Sequence, residues 1–205
     1  MKMIKISMIS ALFLCSISAM AQNEQKMSPQ EDRLRNDWAW LKRFEKANAE
    51  LPKPAKGENR VVFMGNSITE GWGNMVPEFF KGKPYVNRGI GGQTTPQMLI
   101  RFRPDVIDLQ PKVVVILAGT NDIAGNTGTT SEQTIVNNLI SMAQLAKANG
   151  IKVVISSIIP VFDYPWKPGL EPVAKIASIN QSLKTYAKNN GMVYLDYYTP
   201  MADER

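Results

Sequence analysis

The stretch VVFMGNSITEGW, which occupies residues 61–72, joins an apolar run to a glycine-containing turn that presents a serine. We predict a buried strand over Arg60–Met64, because this run is mostly apolar and rich in strand formers, and Gly65 permits the sharp turn that follows. A serine presented in this way indicates a nucleophile. A serine hydroxyl, however, reacts well only when a base takes its proton, and the chain contains no histidine, the usual base.

Strand and helix patterns alternate along the rest of the chain. Further apolar runs predict strands over Tyr85–Asn87, Lys112–Ala118, Ile151–Ser156 and Met192–Leu195. Helical spacing predicts helices over Thr95–Phe102, continued after a break by Pro104–Leu109, and over Ser131–Asn149 and Val173–Asn189. Thr130 and Gln133 form a candidate capping box for the helix over Ser131–Asn149. Continuous apolar strands are typical of a parallel sheet covered on both faces. We therefore predict an α/β protein, a three-layer α/β/α sandwich with about five parallel strands.

The first 21 residues have the pattern of a secretory signal peptide. Lys2 and Lys5 form a basic start, an apolar run follows over Ile6–Ser18, and Ala19–Ala21 matches a signal-peptidase site. The mature chain then begins at Gln22, in a periplasmic or secreted location. The apolar run is short for a membrane span, which needs about 20 residues, so we expect no stable membrane insertion after cleavage. An uncleaved anchor and a lipoprotein are the alternatives.

Composition excludes several classes of site and partner. The only cysteine, Cys15, lies in the signal peptide, so the mature chain has no disulfide, no catalytic thiol and no cysteine-based metal site. Without histidine, a zinc site is not expected either. The 24 basic residues, among them Arg60, Arg88 and Arg101, are scattered among 18 acidic residues rather than gathered in a stripe. We therefore assign them to a solvated surface and predict no nucleic-acid partner.

Residues 22–57 are assigned to an N-terminal helix and linker, and residues 58–205 to the α/β domain. Apolar residues at spacings of three and four predict a helix over Glu31–Leu51. We interpret this helix as a structural brace, with a lid or partner-binding helix as the alternative. Two prolines and a glycine within residues 52–57 then end the helix and form the linker.

Three polar clusters follow predicted strand ends, where a parallel sheet binds its ligands. They are GNS at residues 65–67, NRGIGGQTT at residues 87–95 and AGTND at residues 118–122. A glycine-rich loop brings backbone N–H groups close to a substrate, and an asparagine amide after a strand can donate to a developing oxyanion. Each cluster alone is also consistent with an ordinary turn: a capping serine, a flexible loop or an Asx turn.

Taken together and in this order, the clusters resemble the SGNH hydrolases, also called the GDSL esterase/lipase family. Ser67 matches the family's nucleophile, Gly92 its second-block glycine and Asn121 its third-block asparagine. The resemblance implies an oxyanion hole made by the N–H groups of Ser67 and Gly92 and the Asn121 side chain. It also implies a flavodoxin-like fold with no metal and no cofactor. Trp72 and the glycine-rich loop are similar to acetylhydrolase-type members, which implies cleavage of small acyl esters, especially acetyl esters, of small molecules or glycans.

Two departures from the family pattern bear on function. Asn66 replaces the aspartate of Gly-Asp-Ser, and we expect a modest effect because asparagine makes similar turn hydrogen bonds. The Asp-x-x-His block is missing: Asp196, which we predict to be structural, and Asp203 have no histidine after them, and the chain ends at Arg205. We therefore expect the domain over residues 58–205 to be incomplete at its C-terminus. We also expect ester hydrolysis by these residues to be weak or absent. A natively histidine-free, non-catalytic ligand- or glycan-binding module is the alternative.

Overall fold

A computed structural model of the chain describes residues 27–203, apart from the side chain of Gln30. The predicted signal peptide, its cleavage site and Gln22 lie outside the described residues. The chain divides into two compact units, Met1–Asn36 and Asp37–Arg205. Within the described part, every helix is too short or too polar to cross a membrane.

In the first unit the described residues form one short helix, α1, over Pro29–Asn36. The Glu31 N–H donates to Ser28 Oγ over 3.2 Å, and the Ser28 N–H donates to a Glu31 carboxylate oxygen over 2.8 Å. This reciprocal pair satisfies two N–H groups at the start of the helix. The helix therefore begins before Glu31, where the sequence pattern placed its start.

The continuous helix predicted over Glu31–Leu51 is wrong. In the second unit this stretch contains a 3₁₀ turn over Leu41–Arg43 and a short helix, α2, over Glu45–Glu50. Trp40 has a φ of 55°, a left-handed conformation that a continuous right-handed helix excludes. The Asp37 carboxylate accepts hydrogen bonds of 2.7 and 3.0 Å from two N–H groups of the 3₁₀ turn. Such a side chain competes with the helical hydrogen bonds, so the helix is interrupted here.

The second unit is built on five parallel strands. These are β1 (Val61–Gly65), β2 (Tyr85–Gly89), β3 (Val113–Leu117), β4 (Lys152–Ser156) and β5 (Val193–Leu195). Their order across the sheet is β2-β1-β3-β4-β5. The helices are α3 (Ser67–Met75), α4 (Thr95–Asp105), α5 (Thr120–Ile123), α6 (Glu132–Ala148), α7 (Val173–Asn189) and α8 (Tyr198–Met201). The predicted α/β class with five parallel strands is confirmed, and the strand bounds move by one or two residues.

Helices lie on both faces of the sheet, which confirms the three layers. On one face Val62 and Met64 are buried in a core that β1, β3 and β4 share with α4, α6 and α7. On the other face α3 packs on β1 and β2, and the ring of Phe63 meets that of Trp72 edge-on at 6.3 Å. This second layer is thinner over β5, where Val193 is 59% exposed.

Two helix boundaries differ from those predicted. α4 runs through Pro104 instead of breaking before it, because a proline in the last turn removes only one N–H from the helical ladder. α6 is capped by Ser131, whose Oγ accepts from the N–H three residues later over 3.1 Å. The predicted capping box of Thr130 and Gln133 is therefore wrong.

Candidate active site

Ser67 is exposed at the first position of α3, immediately after β1. The preceding residue, Asn66, is buried and caps the helix, since its Oδ1 accepts from the Ile68 N–H over 3.0 Å. Gly65 has no room for a side chain, because a Cβ there would lie 2.8 Å from the carbonyl oxygen of Leu117. The local sequence therefore holds the serine at the carboxyl edge of the sheet, on a helix N-terminus.

The loop between β2 and α4 lies against this serine. A Cβ placed on Gly91 would be 3.8 Å from the Ser67 Cβ and 3.1 Å from a Glu70 carboxylate oxygen. Gly92 follows with a φ of 75°, which side-chain-bearing residues rarely adopt. The structure thus brings the predicted second cluster into contact with the first.

Asn121 lies just after β3, in the short helix α5. Gly119 turns the chain there with a φ of 119°, and a Cβ at this position would lie 2.6 Å from Ile158 Cδ1. The Asn121 side chain is buried, and its Nδ2 donates to the main-chain oxygen of Gln93 over 2.9 Å. The third cluster is therefore tied to the second, and the amide nitrogen retains a second proton that it can donate.

Among the backbone donors of these turns that have no acceptor within residues 27–203 are the N–H groups of Ser67, at the start of α3, and of Gly92. A helix N-terminus favours negative charge, so the Ser67 N–H is suited to an anionic oxygen. Backbone N–H groups in such turns, together with an asparagine amide, are the usual donors of an oxyanion hole.

A buried arginine, which sequence analysis assigned to the surface, joins the ends of β1 and β2. Arg101 is fully buried and pairs with Asp105 over 2.9 Å. Its Nη2 donates to the main-chain oxygens of Gly65 and Arg88 over 3.1 and 2.9 Å. Burial lowers the pKa of Arg101, while the charge of Asp105 opposes that shift. The predicted solvated positions of Arg60, Arg88 and Arg101 are wrong, since all three are buried.

Asp122, next to Asn121, locks the third cluster to the start of α4. Its carboxylate accepts from the Thr95 N–H over 3.0 Å and from Thr95 Oγ1 over 2.6 Å. Burial raises the pKa of Asp122 from 3.8 to about 6, although the bonds from Thr95 lower it. Asn138 adds a bond of 3.0 Å from its Nδ2 to Thr95 Oγ1. The lock is thus a buried network in which one member can change its charge.

The carboxylate at the end of β5 is engaged in local structure. Asp196 accepts from the Thr199 N–H over 2.9 Å and from Thr199 Oγ1 over 2.7 Å, at the start of α8. These bonds lower the pKa of Asp196, and they agree with the structural role predicted for it. Among the residues that the structure describes, no cluster of three or more histidine, cysteine or carboxylate side chains is placed to hold a metal ion.

The chain is similar to several known proteins. A family model described as the GDSL-like lipase/acylhydrolase family matches residues 63–205. The chain is 54% identical to a Bacteroides fragilis protein assigned as an acylhydrolase, with a TM-score of 0.80 over 82% of this chain and 81% of that one. It is 49% identical to a GDSL-like lipase from Bacteroides thetaiotaomicron, with a TM-score of 0.80 over 82% of this chain and 83% of that one.

A curated relative matches a smaller part of this chain. The uncharacterized lipoprotein YqeF of Bacillus subtilis is 33% identical over an alignment of 125 residues, and the match covers 53% of this chain and 51% of the relative. The chain thus matches about half the length of that relative.

Proposed function

Because this chain belongs to the GDSL-like lipase/acylhydrolase family, we propose that it is a serine ester hydrolase that cleaves small acyl esters through an acyl-serine intermediate. The observation that carries the proposal is the contact of Gly91 with Ser67, where a Cβ on the glycine would lie 3.8 Å from the serine Cβ. This contact supports a position of the Gly92 loop beside Ser67, and Asn121 is hydrogen-bonded to the same loop.

In the proposed reaction the Ser67 oxygen attacks the ester carbonyl carbon while a base takes the hydroxyl proton. The N–H groups of Ser67 and Gly92 and the Nδ2 of Asn121 donate to the oxyanion that forms. The bond to the alcohol then breaks, the alcohol leaves with a proton, and an acyl group remains on Ser67. Water attacks this acyl-serine, releases the acid and restores the hydroxyl.

The 205 residues contain no histidine, so the proposed site has its nucleophile and oxyanion donors without the usual base. A serine hydroxyl without a base is a weak nucleophile. We infer that these residues by themselves hydrolyse small acetyl esters slowly, and that a base supplied to the site raises the rate.

The same composition favours a second candidate, a non-catalytic module that binds an ester or glycan ligand at these turns. The two candidates differ in the reactivity of Ser67. In a hydrolase the oxyanion donors accelerate attack by this hydroxyl, whereas in a binding module Ser67 reacts no faster than any exposed serine.

For the substrate we propose an acetyl ester of a small molecule or glycan, supported by the resemblance of Trp72 and the glycine-rich loop to acetylhydrolase-type members. For the location we propose export to the periplasm or the exterior. The signal-peptide pattern of the first 21 residues supports export, and the name of the Bacillus subtilis relative, a lipoprotein, is in keeping with it.

Labelling with a fluorophosphonate, in the presence of imidazole as the base, distinguishes the two candidates. Ser131 is the internal control, because it is also an exposed serine at a helix N-terminus. Adducts on Ser67 and Ser131 are quantified by mass spectrometry after digestion. We expect Ser67 to react at least about tenfold faster than Ser131, and Ser67→Ala to remove that adduct. Equal rates at the two serines would reject the hydrolase and favour the binding module.

A further inference from the structure

The segment that precedes α2 is fixed onto the glycine-rich loop and the start of α4. Gln93 Nε2 donates to the main-chain oxygen of Ala39 over 2.7 Å, and Gln97 Nε2 donates to that of Trp38 over 2.8 Å. The Gln93 and Gln97 side chains are buried, so the hydrogen bonds from their amide groups are shielded from water. The segment around Ala39 is therefore fixed to the loop that carries Gly92 and to the start of α4.

Arg43 and Glu70 connect this segment to the loop. Arg43 Nη2 lies 3.3 Å from one carboxylate oxygen of Glu70, and the other oxygen accepts from the Gly91 N–H over 2.8 Å. The guanidinium carbon of Arg43 also lies 5.6 Å from the ring centroid of Trp40 and 5.1 Å from that of Phe44. These contacts limit where the arginine can point. The Glu70 carboxylate therefore binds Arg43 through one oxygen and the Gly91 N–H of the glycine-rich loop through the other.

Asn126 holds the other end of the glycine pair. Its Nδ2 donates to the carbonyl oxygen of Gly92 over 3.1 Å, and its own N–H donates to the oxygen of Asn121 over 3.0 Å. The N–H of Gly91 and the C=O of Gly92 are thus both tied, while the N–H of the peptide between these residues, that of Gly92, has no acceptor within residues 27–203. Two adjacent glycines are otherwise free to rotate, so these two bonds determine where the Gly92 N–H points.

We propose that Glu70 is a positioning residue, which orients the Gly92 N–H toward the oxyanion at Ser67 through its bond to Gly91. This proposal rests on the proposed ester hydrolysis. Glu70 lies one turn after Ser67 in α3, so the nucleophile and the group that holds the oxyanion loop belong to one rigid element. Both carboxylate oxygens of Glu70 are engaged, by Arg43 and by Gly91, and the side chain acts on geometry rather than on the reacting atoms.

The ion pair itself contributes little to stability. The side chains of Arg43 and Glu70 are 40% and 33% exposed, and exposed pairs are screened by solvent. Loss of Glu70 should therefore change the placement of the loop more than the stability of the fold.

The test compares Glu70→Ala, Glu70→Gln and a control, Glu78→Ala. Glu78 is an exposed glutamate in the 3₁₀ turn over Pro77–Phe79 that follows α3. For each protein, amide hydrogen exchange at Gly91 is measured by NMR. The kcat and KM for 1-naphthyl acetate are measured with added imidazole as the base, and Tm is recorded as a check on folding.

We expect Glu70→Ala to raise Gly91 exchange about tenfold, the effect of one charge-assisted hydrogen bond. Its kcat should fall about tenfold to a hundredfold with KM changed less than about twofold, since loss of a whole oxyanion donor costs about 10²–10³-fold. Glu70→Gln keeps an acceptor oxygen and should recover most of both effects. Glu78→Ala should resemble the wild type.

A Glu70→Ala variant with the Gly91 exchange or the kcat of the wild type would overturn the proposal, as would equal losses in Glu78→Ala. Failure of the proposed function has a different signature: turnover by the wild type would then be the same as that of Ser67→Ala. Because Gly91 exchange needs no turnover, it shows in either case whether Glu70 holds the loop.

Discussion

Arg101 donates a hydrogen bond of 3.1 Å from Nη2 to the main-chain oxygen of Gly65, two residues before Ser67. The same nitrogen donates to the main-chain oxygen of Arg88 over 2.9 Å. The turn of Ser67 and the glycine-rich loop start from these two strand ends. One buried cation therefore fixes the separation between the candidate nucleophile and the loop that carries Gly92.

Replacement of Arg101 by methionine is expected to destabilise the fold. The guanidinium is fully buried, and its loss leaves the Asp105 carboxylate, 1% exposed, without its ion-pair partner. Removal of one member of a buried pair costs about 3–5 kcal/mol in free energy of unfolding, which urea denaturation measures. Arg103→Met is the matched control, because the Arg103 side chain is 62% exposed and its loss should cost no more than about 0.5 kcal/mol. Equal losses in the two variants would contradict the role assigned to Arg101.

Asp122 is expected to make the protein less stable as the pH rises from mildly acidic to neutral. Burial raises its pKa from 3.8 to about 6, so the folded protein binds this proton more tightly than the unfolded chain does. The tighter binding of this proton stabilises the folded protein fully at a pH below the pKa of Asp122 in the unfolded chain. This stabilisation is lost as the pH rises through the pKa of Asp122 in the folded protein.

Asp122→Asn is neutral at every pH and should remove this dependence. Relative to the variant, the wild type should lose up to about 3 kcal/mol of unfolding free energy between about pH 4 and about pH 7. Urea denaturation of both proteins across this range measures the difference. A difference that stays constant with pH would show that burial does not raise the pKa of Asp122.

Gly92→Ala should separate a local cost in stability from a loss of site chemistry. Gly82 is the matched control, because the two glycines have φ values of 75° and 72° and neither position has an atom within 3.4 Å of an added Cβ. An alanine at either position should cost about 1–2 kcal/mol of unfolding free energy, from backbone strain. Only Gly92→Ala should slow fluorophosphonate labelling of Ser67, because only Gly92 lies in the loop beside it. Slower labelling in Gly82→Ala as well would indicate a general loss of structure.

The sheet was predictable from the sequence because its interior strands are buried on both faces. The run over residues 113–117 is continuous in apolar residues and forms β3 with bounds that differ by one residue at each end from the prediction. The interruption of the helix predicted over Glu31–Leu51 could not be predicted from spacing alone. The Asp37 carboxylate accepts hydrogen bonds from N–H groups that a helix would pair with its own carbonyl oxygens. The spacing of apolar residues does not show this competition.

The candidate site was predictable in part. Ser67, Gly92 and Asn121 follow strand ends, and strand ends of a parallel sheet meet at one edge. Glu70 and Arg101 were missed, since each acts through tertiary hydrogen bonds that leave no pattern in the sequence. The signal available for Glu70 was its place one turn after Ser67, on the same helix. Arg101 offered none, because a lone arginine on a helix is more often at the surface.

The proposed esterase site, made of Ser67 and its oxyanion donors, needs a base. Imidazole rescue tests this claim most directly. Hydrolysis of 1-naphthyl acetate by the 205-residue chain is followed as imidazole is added, and Ser67→Ala is measured in parallel to subtract the uncatalysed reaction. We predict a Ser67-dependent rate that rises at least about tenfold with imidazole. Equal rates for the chain and Ser67→Ala at every imidazole concentration would contradict it.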